Sequence, residues 1–244
     1  MLHACGALPI MADAPEESAE ITAHAAALTL NLGTLNPARA AAMLASGQAA
    51  NRCGIPVVLD PVGAGATAFR RETAAALLKT VRFSAIRGNA SEIRYLAGAH
   101  AVCSGADVSA SDVLSEASLR DSCEIAGTLA QKTGAVILMT GETDLLTDGH
   151  TAYTVQNGHP MMSRITGSGC MLSAMTAAYL AVRPEQPLSA CLTVLCAMGL
   201  AGELAAKRMT EQDGNASFRR YLTDAVYNLT EVQLGEGARY EMFR

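Results

Sequence analysis

Apolar residues in this chain fall into short unbroken runs, set between longer stretches in which they recur at helical spacing. Val57-Val58-Leu59 and Val136-Ile137-Leu138-Met139 have the length and β-branching of strands buried on both faces. The pattern predicts strand 26–32, helix 37–53, strand 56–59, helix 69–81, strand 84–86, helix 90–96, helix 119–132 and strand 135–140. This alternation is that of parallel strands joined by crossover helices on the faces of a sheet, an α/β architecture. Leu145-Leu146-Thr147 and Tyr153-Thr154-Val155 flank Asp148-Gly149-His150 as a hairpin. The small, polar stretch 98–111 reads as a long loop. Helices are expected over 170–182, 188–207 and 216–228, broken first at Pro184 and Pro187, with no strand after them.

Composition narrows the setting. A chain of 244 residues, half of them hydrophobic, has the size of one α/β domain, taken as residues 1–244. The net charge of −5 leaves no basic stripe for a nucleic-acid backbone. The least polar stretch, 188–206, is interrupted by Ser189, Thr193 and Glu203, which makes it a buried core helix rather than a membrane span. Seven cysteines without a C-x-x-C pair suit free thiols, and the opening residues lack the pattern of a secretory signal, so a cytoplasmic protein is expected.

The candidate chemistry lies at the ends of the apolar runs. Ile165-Thr166-Gly167-Ser168-Gly169-Cys170 is a glycine-rich turn opening a helix, where close backbone approach and the positive end of the helix dipole favour phosphate. Asp60-Pro61-Val62-Gly63-Ala64-Gly65 and Arg87-Gly88-Asn89-Ala90-Ser91-Glu92 each follow an apolar run, so their polar groups reach the crevice at the C-terminal ends of parallel strands. Asp60, Asn89 and Glu92 are hard oxygen donors suited to Mg²⁺, although an Asp before Pro is equally a turn residue and Asn89 equally a helix cap. Arg87 can hold phosphate oxygens bidentately or serve a surface ion pair, and Thr140-Gly141-Glu142 is either a second nucleotide loop or a plain turn. Cys170, on the first turn of its helix, has the position of a thiol with a lowered pKa or simply of a small packed residue. The histidines show no metal spacing, and Ser168 lacks the partners of a hydrolase triad.

With these residues the chain resembles the hydroxyethylthiazole kinases, thiamine-salvage enzymes of the ribokinase-like group. The resemblance runs through LPIMADAPEE, LNLGTL, PVVLDPVGAGATAFR, IRGNASEI, MTGE, NGH and ITGSGC, in that order. It implies a three-layer α/β/α fold with a mostly parallel central sheet. It also implies transfer of the ATP γ-phosphate to the alcohol of 4-methyl-5-(2-hydroxyethyl)thiazole, with Mg²⁺. By resemblance, Met11 and Gly167 lie at the thiazole, Arg87 and Thr140 at ATP, and Asp60, Asn89 and Glu92 round the metal and phosphates. Gly167, Gly169 and Cys170 form the catalytic turn, with Cys170 where many relatives carry an Asp base. A homotrimer with sites between protomers is implied, with no nucleic-acid or membrane partner. Family members usually begin with a further helix and strand carrying an I-T-N-x-V type motif, which this chain is expected to lack, leaving a sheet edge open. Two other readings stand beside this one. One is another ribokinase-like enzyme, such as a hydroxymethylpyrimidine kinase or a nicotinamide-nucleotide hydrate dehydratase, against which Cys170 counts. The other is a nucleotide-binding homologue without turnover.

Overall fold

The computed structural model describes residues 1–99 and 116–243, so from residue 100 onward the loop expected over 98–111 lies outside the described residues. A single seven-stranded sheet runs in chain order: β1 (Leu28–Asn31), β2 (Val57–Asp60), β3 (Ala85–Asn89), β4 (Val136–Thr140), β5 (Asp144–Thr147), β6 (Ala152–Val155) and β7 (Tyr240–Phe243). Strands β1 to β4 are parallel, as the alternating pattern implies, and β5 to β7 add antiparallel neighbours, so the sheet as a whole is mixed.

Helices α2 (Pro37–Cys53), α3 (Ala68–Thr80), α4 (Ala90–Ala97) and α5 (Glu116–Thr133) cross over between the parallel strands. Their ends follow local chemistry. Asn36 and Thr67 cap α2 and α3 by accepting from Arg39 and Arg70 amides, and Gly54 and Gly98 close α2 and α4 in the left-handed region. Helices α6 (Ser168–Val182), α7 (Pro187–Lys207) and α8 (Asn215–Asn228) cover the opposite face. The two faces are separated by strand alternation. Val57, Leu59, Ile86, Ile137 and Met139 belong to the core under α2 to α5, whereas Val58, Ala85, Val136 and Leu138 belong to the core with α6 to α8. Helix α7 is long and apolar enough to cross a membrane by composition alone, but Cys191, Val194, Leu195 and Met198 are buried in the second core, as expected of a core helix.

Two elements were not anticipated from the pattern: α1 (Pro15–Ala23), which packs on α2, and α9 (Glu231–Gly237). The expectation that no strand follows the last helices is corrected by β7, which pairs with β6 from Ala152↔Phe243 to Val155↔Tyr240. The Tyr-Glu-Met-Phe tetrad is too short and too exposed to announce itself as a strand. Its place is set from a distance. The Asn157 carboxamide accepts from the Arg239 amide at 2.7 Å and donates to the Gly237 carbonyl at 2.9 Å, while the Arg239 guanidinium donates to Glu203 on α7 at 2.7 and 3.0 Å. This accounts structurally for the NGH segment, since α7 comes so close that a Cβ on Gly199 would stand 2.6 Å from Asn157.

Candidate active site

Alternation along the strands decides which polar groups meet. On β2, Val58 faces α6 and Leu59 faces away, so Asp60 turns back towards α6, as Arg87 does after Ile86 on β3. Asn31 pairs with Asp60 in the β1–β2 register and ends the neighbouring strand. These C-terminal ends converge on the start of α6. Asp60 is fully buried, and its Oδ2 accepts from Asn31 Nδ2 at 2.7 Å and from Ser173 Oγ of α6 at 2.9 Å. Its Oδ1 finds no hydrogen-bond partner among the described residues and lies 3.8 Å from the Arg87 guanidinium. Burial pushes Asp60 above the usual carboxylate range, and Arg87, Ser173, Cys170 and Asn31 pull against it.

Arg87 donates through Nη2 to Thr140 Oγ1 at 2.7 Å, and Thr140 in turn donates to the Gly88 carbonyl at 3.3 Å. Its guanidinium is pressed against the first turn of α6, where a Cβ on Gly169 would fall 2.2 Å from Nη1. Gly169 is therefore a place for Arg87 as much as a conformational residue. Gly167, the residue before α6, has φ of 89° and nothing within 4 Å of a would-be Cβ, so the left-handed turn opens onto free space. A guanidinium held by Thr140 against the start of a helix is an arrangement that favours an anion.

Cys170 lies beside this array, with its Sγ accepting from Asn31 Nδ2 at 3.3 Å. The pKa expectation for this thiol is corrected in sign. Partial burial first, then the charge of Asp60, push it up, and the Asn31 N–H and Arg87 offset only part of that. The residue itself reaches solvent.

Asn89 and Glu92 form a capping box at the start of α4: Asn89 Oδ1 accepts from the Glu92 amide at 2.8 Å and Glu92 Oε2 from the Asn89 amide at 2.9 Å. The other Glu92 oxygen accepts from the Gly63 amide at 2.9 Å, tying the β2–α3 loop to α4. Burial pushes Glu92 up, and the two amides resist. Glu92 also feels the charge of Asp60, so these two carboxylates lie in one neighbourhood, while no group of three or more His, Cys, Asp or Glu side chains suited to a metal occurs among the described residues. Met11 is 91% exposed on the irregular stretch before α1 and takes no part in the hydrogen bonding round Asp60.

Three residues of the site were not singled out from the sequence. Asn31 carried a signal, since it ends an apolar strand as Asp60 does. Ser173 lies one helical turn after Gly169, on the same face. Asp144 opens β5 and accepts from the Gly141 amide at 3.0 Å. Burial lifts it to about 6 against the pull of that amide and of Arg87.

Comparison with known proteins settles the kinship of this arrangement. The model of the hydroxyethylthiazole kinase family matches residues 1–232. The chain belongs to this family. Among its relatives, the hydroxyethylthiazole kinase of Clostridium acetobutylicum is 47% identical over 243 residues, covering 100% of this chain and 89% of the relative. That of Desulforudis audaxviator is 50% identical over 239 residues, covering 98% and 84%. A solved hydroxyethylthiazole kinase from Pyrococcus horikoshii OT3 superposes with a TM-score of 0.86 at 32% identity, covering 99% of this chain and 87% of that one. The pyridoxal kinase of Staphylococcus aureus, at 20% identity and a TM-score of 0.55 over 88% of this chain and 70% of its own, shares the fold.

Proposed function

We propose that this chain transfers the γ-phosphoryl group of ATP to the hydroxyl of 4-methyl-5-(2-hydroxyethyl)thiazole, a thiamine-salvage phosphorylation. The observation that carries the reading is the packing of the Arg87 guanidinium into the space left by Gly169 in the first turn of α6. Phosphoryl transfer asks mainly for positioned phosphates and neutralised charge. Arg87, steadied by Thr140, meets the transferring phosphate from below, and the Gly167–Gly169 amides meet it from the helix end. The open side of Gly167 leaves room for the thiazole and its alcohol. As the alcohol oxygen bonds phosphorus and the bond to ADP breaks, the alcohol proton passes to Cys170 Sγ in its thiolate form. Because the pKa of that thiol is raised, Cys170 is a modest acceptor, and positioning supplies most of the acceleration.

The oxygen donors fit Mg²⁺ arriving with ATP and held mostly through water. Asp60 Oδ1 is buried without a hydrogen-bond partner among the described residues, while the oxygens of Asn89 and Glu92 are already engaged by amides. Bound there, the ion would neutralise phosphate charge. Leu8, Ile10 and Met11, at 84%, 67% and 91% exposure, are an apolar strip suited to a second copy, which supports a homotrimer with Met11 lining a neighbour's thiazole site. The cysteines found unpaired among the described residues suit the cytoplasm.

The test is ADP release with ATP, Mg²⁺ and hydroxyethylthiazole, with mass spectrometric detection of thiazole phosphate. Thiazole-dependent turnover is expected. Phosphorylation of hydroxymethylpyrimidine in its place would overturn the reading, as would ATP binding by the folded protein without turnover.

A further inference from the structure

Asn31 joins two groups of the site that lie on different elements, Asp60 on β2 and Cys170 on α6. It stands at the last position of β1, where a carboxamide is a poor strand former, and it is only partly buried. Its two N–H groups go to different partners, Asp60 Oδ2 at 2.7 Å and Cys170 Sγ at 3.3 Å, and its Oδ1 accepts from the Gly33 amide at 2.7 Å. Those bonds define which way the amide points, because a carbonyl oxygen cannot face the Asp60 carboxylate.

The loop that holds Asn31 is itself held. Gly33 has no room for a side chain, since a Cβ would stand 2.7 Å from Asn31 Oδ1, and its carbonyl accepts from Arg70 of α3 at 2.9 Å. Arg70 also donates to the carbonyls of Leu32 and Val62, so one guanidinium joins the β1–α2 loop to the β2–α3 loop. The chain of contacts runs from α3 through Gly33 to Asn31, and from there to both acidic groups beside the α6 turn. A cysteine side chain at the mouth of a site has several staggered rotamers open to it, and an N–H donor fixed by a braced loop selects one.

We propose that Asn31 is a positioning residue for the phosphotransfer, holding the Cys170 sulfur in the rotamer that receives the alcohol proton and keeping Asp60 in register with it. The inference rests on the kinase reading above. It assigns Asn31 no contact with substrate; its effect passes through Cys170.

The experiment is a double-mutant cycle on the full chain: wild type, Asn31→Ala, Cys170→Ala and the pair, each assayed for thiazole-dependent ADP formation. Asn31→Ala is expected to lower kcat roughly ten-fold while leaving KM for ATP within about two-fold, and to cost little further once Cys170 is already Ala. An equal loss in both backgrounds would overturn the proposal, as would a rise in KM for ATP with kcat intact. Asn31→Ser, whose hydroxyl still accepts from the Gly33 amide but does not reach Cys170, is expected to behave like Ala and serves if Ala does not fold. Crystal structures of wild type and Asn31→Ser provide a readout independent of turnover. One Cys170 rotamer in the first and several in the second support the proposal, and an unchanged single rotamer sinks it. Absence of turnover in wild type would instead fell the kinase reading and leave the rotamers to decide the role of Asn31.

Discussion

Replacing Gly169 with Ala separates a glycine kept for backbone freedom from one kept for room. Gly169 lies in the first turn of α6 with an ordinary helical φ, so by helix propensity alone Ala would stabilise the chain by about 0.5–1 kcal/mol. The structure reverses the outcome. The new Cβ would stand 2.2 Å from Arg87 Nη1, 2.6 Å from Nη2 and 2.7 Å from Cζ, so the guanidinium has to leave. It then gives up its bond to Thr140 at 2.7 Å, a charged hydrogen bond of about 1.5–3 kcal/mol, and its place 3.8 Å from Asp60. The two effects cancel only in part in stability, leaving a net loss of roughly 0.5–2.5 kcal/mol. They do not cancel in function, because the displaced group is the cation proposed to meet the ATP phosphates, and KM for ATP should rise ten-fold or more, on the order of 1.4 kcal/mol. Gly127→Ala, in α5 with nothing within 4 Å of its Cβ position, is the control and should gain about 0.5–1 kcal/mol without touching ATP. Thermal unfolding and ATP-dependent kinetics of both variants decide the matter. Gly169→Ala with unchanged KM for ATP would refute the seating of Arg87 against α6.

Gly199→Ala drives a Cβ to 2.6 Å from the backbone of Asn157 and should cost about 1–3 kcal/mol in chemical denaturation; a neutral substitution would mean that the NGH segment yields easily. Asp144, lifted by burial to about 6 from 3.8, keeps its proton longer in the folded state, so its contribution to stability falls as pH rises from about 4 to 6 and the full cost stands above that. Asp144→Asn retains an acceptor for Gly141 and should be more stable than wild type at pH 8 by up to about 3 kcal/mol, converging near pH 4; parallel stability curves for the two would reject the burial argument. With the Cys170 thiol raised, kcat should climb with pH through the neutral range. Cys170→Asp should flatten that rise and retain turnover, whereas Cys170→Ala with unchanged kcat would remove the thiol from the mechanism.

How much of this was legible in the residue string differs from element to element. Helix α2 was readable to its ends because Asn36-Pro37 and Gly54 are local stop and start signals. Strands β2 and β4 were readable because unbroken apolar runs that begin with Val and Ile leave few alternatives. Strand β7 was not, because its four residues become a strand only when β6 presents a free edge and Glu203 and Asn157 hold Arg239 beside it.

The sequence by itself determined the α/β alternation, the family and the identity of the groups at the strand ends, since these follow from short-range pattern and from motifs read in order. Only the tertiary structure decided what those groups do to one another. Asn31 and Cys170 meet across 139 residues, and Asp60 and Ser173 across 113. No local rule turns Glu92 towards Gly63 instead of towards Asp60. Even the sign of the Cys170 shift was set there, because a helix start favours the thiolate, whereas burial and a neighbouring carboxylate brought in by another strand oppose it.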